Sequence, residues 1–417
     1  MRTILGKKGG IIMRRLLLLL SFGLLGLMLV SPSSHAANTI KVGIIDSYSG
    51  PPAAYSLDVL DGFKMARDKI NAKGGVLGKK IEYTSRDEKF KPDIGLAMAK
   101  ELVMKENVDI LAGTINSATA LAISDFAKKE KIPFFATNSK SERITGQMGH
   151  RYVFSTNENT AMAGRAAAVA LAKKPFTKYW IAGDDYEFGH AIADGVWNNL
   201  KVLKPSVQLL GQSWWKVGES DFTPYITAIV AAKPDFIIVA TGGSGMVNFQ
   251  KAAKATGLAE KIPFYQHTAI EITVGQALGM DAPEGAYGTA NYLFYYPDTP
   301  ANKAFAAEFR KLYGRYPKMT ALYGYITAQF IAQGYQKAGS MNKEKFIDAV
   351  EGMVLEDTPV GKVEMRKCDH QVTLPMFWGV TKKSPEYKEF LIASDVVTIP
   401  ASEYMPTCEQ IKKARGQ

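Results

Sequence analysis

The sequence is poor in the residues that bind metals and build nucleophilic sites. It contains five histidines and two cysteines among 417 residues. None of the four histidines after residue 36 belongs to a His-Glu-x-x-His motif or another closely spaced ligand pair; they are His150, His190, His267 and His370. The common signatures of a metal site are therefore missing. We expect no metal and no other cofactor.

Catalytic motifs are also missing. The stretch GGVLGKK fails as a phosphate-binding loop, because Lys73 stands where the first glycine is needed and Lys80 where a hydroxyl residue is needed. TGGSGM fails as a nucleophile elbow, because Met246 replaces the second glycine. No G-x-G-x-x-G follows a strand-like segment, and no acid–base pair stands out. We therefore predict that the protein is not an enzyme.

Long apolar runs occur only near the N-terminus. Arg14 and Arg15 precede an apolar stretch over residues 16–30, and a polar segment follows that ends in Ser34-His35-Ala36. This order is typical of a secretory signal peptide, which we predict over residues 1–36. Met13 is an alternative start, and an uncleaved membrane anchor is the alternative interpretation. No cysteine lies near the cleavage site, so we expect an exported, periplasmic protein that is not a lipoprotein.

Charge gives little support for a nucleic-acid partner. The formal net charge is +11, and it falls to +6 without the five basic residues of the predicted signal peptide. The remaining charge is scattered and is not interleaved with aromatic residues, as it would be in a nucleic-acid-binding surface.

The only cysteines, Cys368 and Cys408, lie in the part that we expect to be exported. In an oxidising compartment such a pair indicates a disulfide, although two free buried thiols are the alternative.

Short apolar runs alternate with amphipathic helical patterns along the rest of the chain. Strand-like segments read TIKVGIID, KIEYTSRD, VDILAG and IPFFAT, and the same rhythm restarts at KYWIAGDDYEFG. This alternation predicts an α/β fold with parallel sheets.

A faint internal repeat suggests two lobes. VDILAGTINSATA followed by EKIPFFATNS has a counterpart in PDFIIVATGGSGMV followed by EKIPFYQHT. Ligands of open α/β sheets bind outside the carboxyl ends of the strands. We therefore expect two sets of turns that face each other across a ligand-binding cleft.

The turn in ILAGTINSATALAISD illustrates one side of that cleft. A helix that begins near Ser117 offers free N–H groups to an anion, and Ser117 can donate to a carboxylate. The alternative is that Asn116 or Ser117 only caps the helix. Thr137, Asn138 and Ser139 follow the next strand and should lie at the same sheet edge.

Four long segments resemble the periplasmic solute-binding proteins of the branched-chain amino acid (leucine/isoleucine/valine-binding) type. They are IKVGIIDSYSGPPAAYSLDVLDGFKMARDKINAKGGVLGKKIEY, SATALAISDFAKKEKIPFF, YWIAGDDYEFGHAIADGVWNNLK and PANKAFAAEFRKLYGRYPKMTALYGY. The resemblance implies two Rossmann-like lobes joined by three hinge crossings, which we place near residues 155–159, 288–292 and 355–360. The implied lobes comprise residues 38–157 with 290–356, and 158–289 with 357–417. The resemblance also implies an ABC permease as partner and a monomeric protein.

The same resemblance implies a set of ligand-binding residues. In the first lobe these are Tyr55, Ser117, Thr137, Asn138 and Ser139, and in the second lobe Tyr186, Phe188, Gly242 and His267. Gly242 and Gly243 stand where the family often has an aromatic residue, which would widen the pocket.

One position of the family pattern is altered. The acidic residue that pairs with a ligand's ammonium group falls near His267 or Thr268, and Asp184 or Asp185 is the possible substitute. We therefore expect a small carboxylate as ligand, either an apolar amino acid or an aromatic or aliphatic carboxylic acid or amide. A ligand sensor that signals to a membrane receptor is the alternative to an importer component.

Overall fold

The computed structural model describes residues 39–417. The predicted signal peptide, residues 1–36, lies outside the described residues.

The first sheet has five strands, all parallel, in the order β2-β1-β3-β4-β5. Its strands are β1 (Thr39–Asp46), β2 (Lys80–Asp87), β3 (Ile110–Gly113), β4 (Phe134–Ala136) and β5 (Val153–Ser155), and its connecting helices are α1 (Ala53–Ala72), α2 (Pro92–Met104) and α3 (Ser117–Glu130). Strands β3, β4 and β5 are buried throughout, as expected for a parallel sheet that helices cover on both faces.

The second sheet has seven strands in the order β14-β13-β10-β9-β8-β6-β7. They are β6 (Lys178–Asp184), β7 (Gln208–Trp215), β8 (Phe236–Ala240), β9 (Phe264–Gln266), β10 (Ala286–Ala290), β13 (Met376–Lys382) and β14 (Ile392–Ile399). Strands β6 to β10 are parallel, whereas β13 and β14 are antiparallel to their neighbours. The helices along this part are α4 (Thr160–Ala172), α5 (Glu187–Leu203), α6 (Thr223–Ala232), α7 (Ser244–Ala255), α8 (Leu258–Lys261) and α9 (Ile272–Leu278), with a 3₁₀ turn at Gly279–Asp281.

The predicted α/β architecture is thus confirmed, and the two repeat copies occupy equivalent places. β3, α3 and β4 correspond to β8, α7 and β9, and in each copy the two strands are neighbours in their sheet.

The remaining elements complete the molecule. They are α10 (Pro300–Tyr313), α11 (Met319–Ala338), α12 (Lys343–Val350), the hairpin of β11 (Val354–Thr358) and β12 (Gly361–Glu364), α13 (Ala401–Tyr404) and α14 (Cys408–Ala414). Helix α11 packs closely on α1, and two glycines permit this approach. A β-carbon at Gly62 would lie 1.9 Å from the carbonyl oxygen of Ala321, and one at Gly324 would lie 1.8 Å from that of Val59.

The chain passes between the two sheets three times. The first passage follows β5, the second follows β10, and the third precedes β13. The first and third run side by side, since Ser155 N–H donates to the His370 carbonyl (2.9 Å) and Val372 N–H donates to that of Ser155 (3.0 Å). Our placement of the third passage at residues 355–360 is wrong: those residues form the β11–β12 hairpin, whose two strands pair with each other, and the chain joins the seven-stranded sheet only at Met376.

The C-terminal tail returns from the second sheet to the first lobe. The predicted disulfide between Cys368 and Cys408 is confirmed. The Arg415 guanidinium donates to the carbonyl oxygens of Gly146 (3.1 Å), Cys368 (3.1 Å) and Thr145 (2.8 Å). From residue 39 onward, no helix has the length and apolar character needed to cross a membrane.

Candidate ligand-binding cleft

Helix α3 begins at the carboxyl end of β3, and its cap is Asn116. The Asn116 Oδ1 accepts from the N–H groups of Ala118 (2.9 Å) and Thr119 (3.2 Å). Ser117 therefore does not cap the helix. Its Oγ instead accepts from the N–H groups of Lys140 (3.1 Å) and Ser141 (3.2 Å), so that Ser117 ties the β3–α3 turn to the loop after β4.

The loop after β4 is buried at Thr137, Asn138 and Ser139, each with 2% of its surface exposed. The Ser139 hydroxyl donates to the carbonyl oxygen of Thr114 (2.5 Å). The side-chain oxygens of Thr137 and Asn138, in contrast, have no hydrogen-bond partner among the described residues. Buried polar atoms in proteins are nearly always paired, so these two stand out as groups that a ligand can engage.

Lys140 is a candidate site residue that the sequence analysis did not name. Its Nζ lies 2.6 Å from Glu158 Oε1 and 5.0 Å from the centre of the Tyr323 ring. Glu158 is almost fully buried in the first crossing, and its other oxygen accepts a hydrogen bond from the Tyr323 hydroxyl. A lysine in a polar loop usually extends into solvent. The ion pair with Glu158 forms because the first crossing runs beside this loop, which the sequence does not show.

The predicted residues of the second lobe come together at the carboxyl ends of β6, β8 and β9. The Tyr186 and Phe188 rings are 6.0 Å apart, and Phe188 lies 6.4 Å from the His267 ring. A β-carbon at Gly242 would lie 2.8 Å from the Tyr186 hydroxyl and 3.2 Å from Phe188. The expected extra space at Gly242 is therefore filled by these two rings. Tyr186 is 40% exposed and forms part of the rim.

The ionisable side chains that the second lobe was predicted to contribute, Tyr186 and His267, are neutral at pH 7. Burial lowers the pKa of His267 to about 4, so its imidazole is uncharged at pH 7. The charges of Glu158 and Lys140 act on the same ring with opposite sign, which places all three groups in one neighbourhood. Burial, with a contribution from Asp184, raises the pKa of Tyr186 to about 12.

Neither aspartate that was considered as an ammonium partner is free for that role. Asp184 is buried, and its carboxylate accepts from the Trp215 indole N–H (2.8 Å) and the Gly242 N–H (3.0 Å). Asp185 is exposed to solvent and pairs with His190 at 2.8 Å.

A buried glutamate, Glu271, was also missed. Its Oε2 caps α9 through the Thr273 N–H (2.8 Å), and its Oε1 accepts from the Met319 N–H (3.4 Å) across the lobes. Burial, together with the Glu271 charge, raises the pKa of Tyr55 to about 12. Tyr55 and Glu271 therefore lie near each other, and the Glu271 charge also acts on Tyr323 beside Lys140, so the two groups of residues are neighbours. Glu271 lies four residues after His267, but a single acidic residue in a loop does not indicate from the sequence that its side chain will be buried here.

Metal-binding chemistry finds no support in this arrangement. Within residues 39–417 there is no cluster of three or more His, Cys, Asp or Glu side chains suited to a metal ion.

The chain forms two sheets that are joined by three crossings and carry polar loops at their strand ends. These features define a two-lobed binding protein, and comparison with known proteins agrees. The family profile described as periplasmic binding protein matches residues 39–384. The chain belongs to this family, whose members are binding proteins of extracytoplasmic compartments and not enzymes. It is a solute-binding protein of the ABC transporter class.

Individual relatives are distant but cover most of the chain. The leucine-, isoleucine-, valine-, threonine- and alanine-binding protein of Pseudomonas aeruginosa is 26% identical over 79% of this chain and 86% of its own length. The crystal structure of an ABC-type branched-chain amino acid transporter from Rhodopseudomonas palustris is 26% identical, with a TM-score of 0.76 over 88% of this chain and 98% of that one. A solute-binding protein from the same species, solved with 3,4-dihydroxybenzoic acid, is 23% identical, with a TM-score of 0.76 over 87% and 98%.

Proposed function

We propose that this protein is the periplasmic component of an ABC importer, which captures a small carboxylate between its lobes and delivers it to a permease. The first lobe would comprise residues 38–157 and the chain from residue 290 to the third crossing, and the second lobe would comprise residues 158–289 and the chain from Met376 onward. The protein would be exported with a cleaved signal peptide, without a lipid anchor, and would act as a monomer. Membership in the periplasmic binding protein family and the polar loops at the strand ends of both sheets support this role.

The observation that carries the ligand class is the position of Lys140. Its ammonium group makes one ion pair, with Glu158, and is a quarter exposed, so further N–H donors remain for a ligand. The unpaired Thr137 hydroxyl and the Ser117-bound loop lie in the neighbouring chain segment. A carboxylate bound by an ammonium donor and a hydroxyl forms charge-assisted hydrogen bonds, which are stronger than neutral ones.

A ligand without an amine fits the second lobe best. A buried ammonium group needs a carboxylate partner. Asp184 is occupied by Trp215 and Gly242, Asp185 faces solvent, and His267 is neutral. The Tyr186, Phe188 and His267 rings would instead contact an apolar or aromatic body.

The alternative ligand is an apolar amino acid with Glu271 as its ammonium partner. This carboxylate is 2% exposed and has no cation within ion-pair distance among the described residues. The Pseudomonas relative binds amino acids by its name, whereas the dihydroxybenzoate complex is too distant to decide the ligand.

A thermal-shift panel tests the proposal, because a ligand that binds only the folded protein raises the melting temperature. The panel would contain leucine, isoleucine, valine and phenylalanine beside benzoate-type and short branched acids. We expect the amine-free acids to stabilise the protein. Stabilisation by the amino acids alone would establish the alternative, and no stabilisation by any acid would contradict the carboxylate proposal.

Three variants assign the anchor. Glu158→Gln keeps Lys140 and removes its competing partner, so we expect unchanged or tighter carboxylate binding. Lys140→Met combined with Glu158→Gln removes both charges together, and we expect affinity to fall at least about tenfold, which is about 1.4 kcal/mol. Glu271→Gln should weaken only ligands that carry an amine. The matched control is Lys128→Met on the exposed face of α3. Equal affinity in all variants would rule out Lys140 as the anchor.

The alternative role, a ligand sensor, would bind the same ligand in the same cleft. It differs in one measurable respect, because an importer component is required for uptake of labelled ligand into cells, whereas a sensor is not.

A further inference from the structure

A second cavity lies where both lobes and the C-terminal tail meet. Its volume is about 390 Å³, which is within the range of small-molecule sites. Its wall combines loop 142–147 of the first lobe, the start of α4, two residues of the third crossing and the tail from Pro406 to Ala414. None of the residues assigned to the cleft lines it.

Arg165 is the polar group that this cavity leaves unmatched. The side chain is half-buried on α4, and its one hydrogen bond runs from Nη1 to the Tyr404 carbonyl at a long 3.4 Å. The Glu142 carboxylate of the same lining attracts it from farther away, but no carboxylate among the described residues lies within ion-pair distance of it. A guanidinium carries five N–H donors, and partial burial without a partner is unfavourable. An anion in the cavity would supply that partner.

The other charges of the wall favour an anion as well. Among the described residues, the Arg143 guanidinium has only the Met148 sulfur as hydrogen-bond partner, at 3.2 Å. Asp369 is neutralised by Arg366, which leaves Glu142 as the one acid of the lining without an ion pair. The α4 N-terminus also faces this region: its cap Asn159 lines the cavity, and a helix N-terminus carries a partial positive charge.

The uncharged lining has an apolar part, and this part selects the kind of anion. Its residues are Met162 and Ile411, which are buried, with Ala161, Pro406 and Ala414, whereas Thr145, Gln147, Gln371 and Gln410 form the polar part. An inorganic ion would leave the apolar part without contacts, whereas a small organic acid would cover it.

We propose that this cavity is a second binding site, separate from the cleft, for a small organic carboxylate held by Arg165. Since both lobes and the tail form its wall, an occupant would favour the lobe arrangement in which it binds best.

Counting bound ligand tests the proposal. The probe is 4-fluorobenzoate, followed by equilibrium dialysis and fluorine NMR on the full mature protein. We expect Arg165→Gln to bind one mole fewer per mole of protein than the unchanged chain, whether or not the cleft also binds the probe. Lys413→Gln, which removes the same charge from an exposed position of α14, should bind the full amount.

Two further measurements keep the result interpretable. Ala161→Phe fills the cavity while keeping Arg165, and it should also remove one site, so a folding defect of Arg165→Gln would not hide the answer. Inorganic phosphate should not displace the probe from this site at equal concentration. The same stoichiometry in all four proteins, or displacement by phosphate as effective as by unlabelled benzoate, would overturn the proposal.

Discussion

Single residues determine what this cleft can bind. Ser117 is one of them, and its role in the structure differs from the role that the sequence predicts. The sequence places a hydroxyl at the start of a helix, where it suits both capping and ligand binding. In the structure, Asn116 is the cap and the Ser117 hydroxyl accepts two N–H groups of the loop at Lys140 and Ser141. Its main contact is therefore with the loop that carries the proposed anchor.

We predict that Ser117→Ala weakens ligand binding by about 1–3 kcal/mol, because two loop N–H groups lose their acceptor. Calorimetry with the ligand from the thermal-shift panel measures the affinity, and circular dichroism checks the fold. Asn116→Ala is the matched control. It removes the helix cap, which costs about 1 kcal/mol of stability, but it keeps the Ser117 hydroxyl. Unchanged affinity in folded Ser117→Ala would show that the loop holds its position without this residue.

A second residue-scale prediction concerns Asp46 at the end of β1. Burial raises its pKa to about 6, although hydrogen bonds from Ser56, Ile115 and Ser47 oppose the shift and Glu88 adds to it. A raised carboxyl pKa means that the protonated form is favoured in the folded state. The corresponding stability is complete near pH 4 and is lost as the pH rises through about 6.

Asp46→Asn should therefore stabilise the protein above pH 7 by up to about 3 kcal/mol, at about 1.4 kcal/mol per pKa unit, and leave it unchanged near pH 4. Urea unfolding at pH 4.5 and 7.5 measures the difference. Asp93→Asn, which makes the same change at an exposed position of α2, is the matched control. An equal effect of Asp46→Asn at both pH values would mean that the carboxyl titrates normally.

Other residues of the site were beyond the reach of the sequence. Lys140 and Glu271 are isolated charged residues in loops, and their partners, Glu158 and Met319, lie in other segments of the chain. No periodic pattern marks such pairs, because they arise from the crossing of segments. Thr137 was predicted because it follows a strand, and strand ends are predictable, whereas Tyr186 and Gly242 were predicted from the family resemblance.

At the scale of helices and strands, the alternation of apolar runs and amphipathic patterns was sufficient to predict the type and order of the elements. The helix predicted to begin near Ser117 is observed as Ser117–Glu130, and VDILAG and IPFFAT contain β3 and β4. The exception is the hairpin over 354–364, which we took for a hinge crossing. A two-stranded ribbon and a crossing segment are both short extended stretches, so periodicity does not separate them.

Helix packing provides the prediction at this scale. We expect Gly62→Ala to lower the free energy of unfolding by about 1–3 kcal/mol, because its β-carbon would overlap the Ala321 carbonyl and force α1 and α11 apart. Gly195→Ala is the matched control: it lies inside α5, and its nearest new contact is at an ordinary 3.4 Å. That change should be neutral or stabilise the protein by up to about 1 kcal/mol. A similar response of the two variants to urea would contradict the close-approach argument.

At the scale of the whole molecule, the two lobes depend on segments that are far apart in sequence. The internal repeat and the family resemblance predicted two lobes, and the structure adds the way in which the tail returns. After β14 of the seven-stranded sheet, α13 and α14 lead back to loop 145–146 of the first lobe, where Arg415 donates two hydrogen bonds, and its third goes to the Cys368 carbonyl of the third crossing. This return follows from the disulfide and one arginine, neither of which has a periodic signature.

The last prediction concerns the stability that the disulfide gives to this arrangement. Cys368 lies in the third crossing and Cys408 begins α14, with a sequence separation of 40. In the chain-entropy model, closing a loop of this length restricts the unfolded chain and stabilises the folded one by about 4 kcal/mol. Cys368→Ser with Cys408→Ser should therefore unfold at clearly lower urea concentration than the oxidised protein, and the reduced unchanged chain should behave like the variant. Amide exchange should become faster in the tail first, because the tail then depends on Arg415 and on the packing of Tyr404 and Ile411. Coincident unfolding curves for the oxidised protein and the variant would show that the unfolded chain is not restricted by this bond.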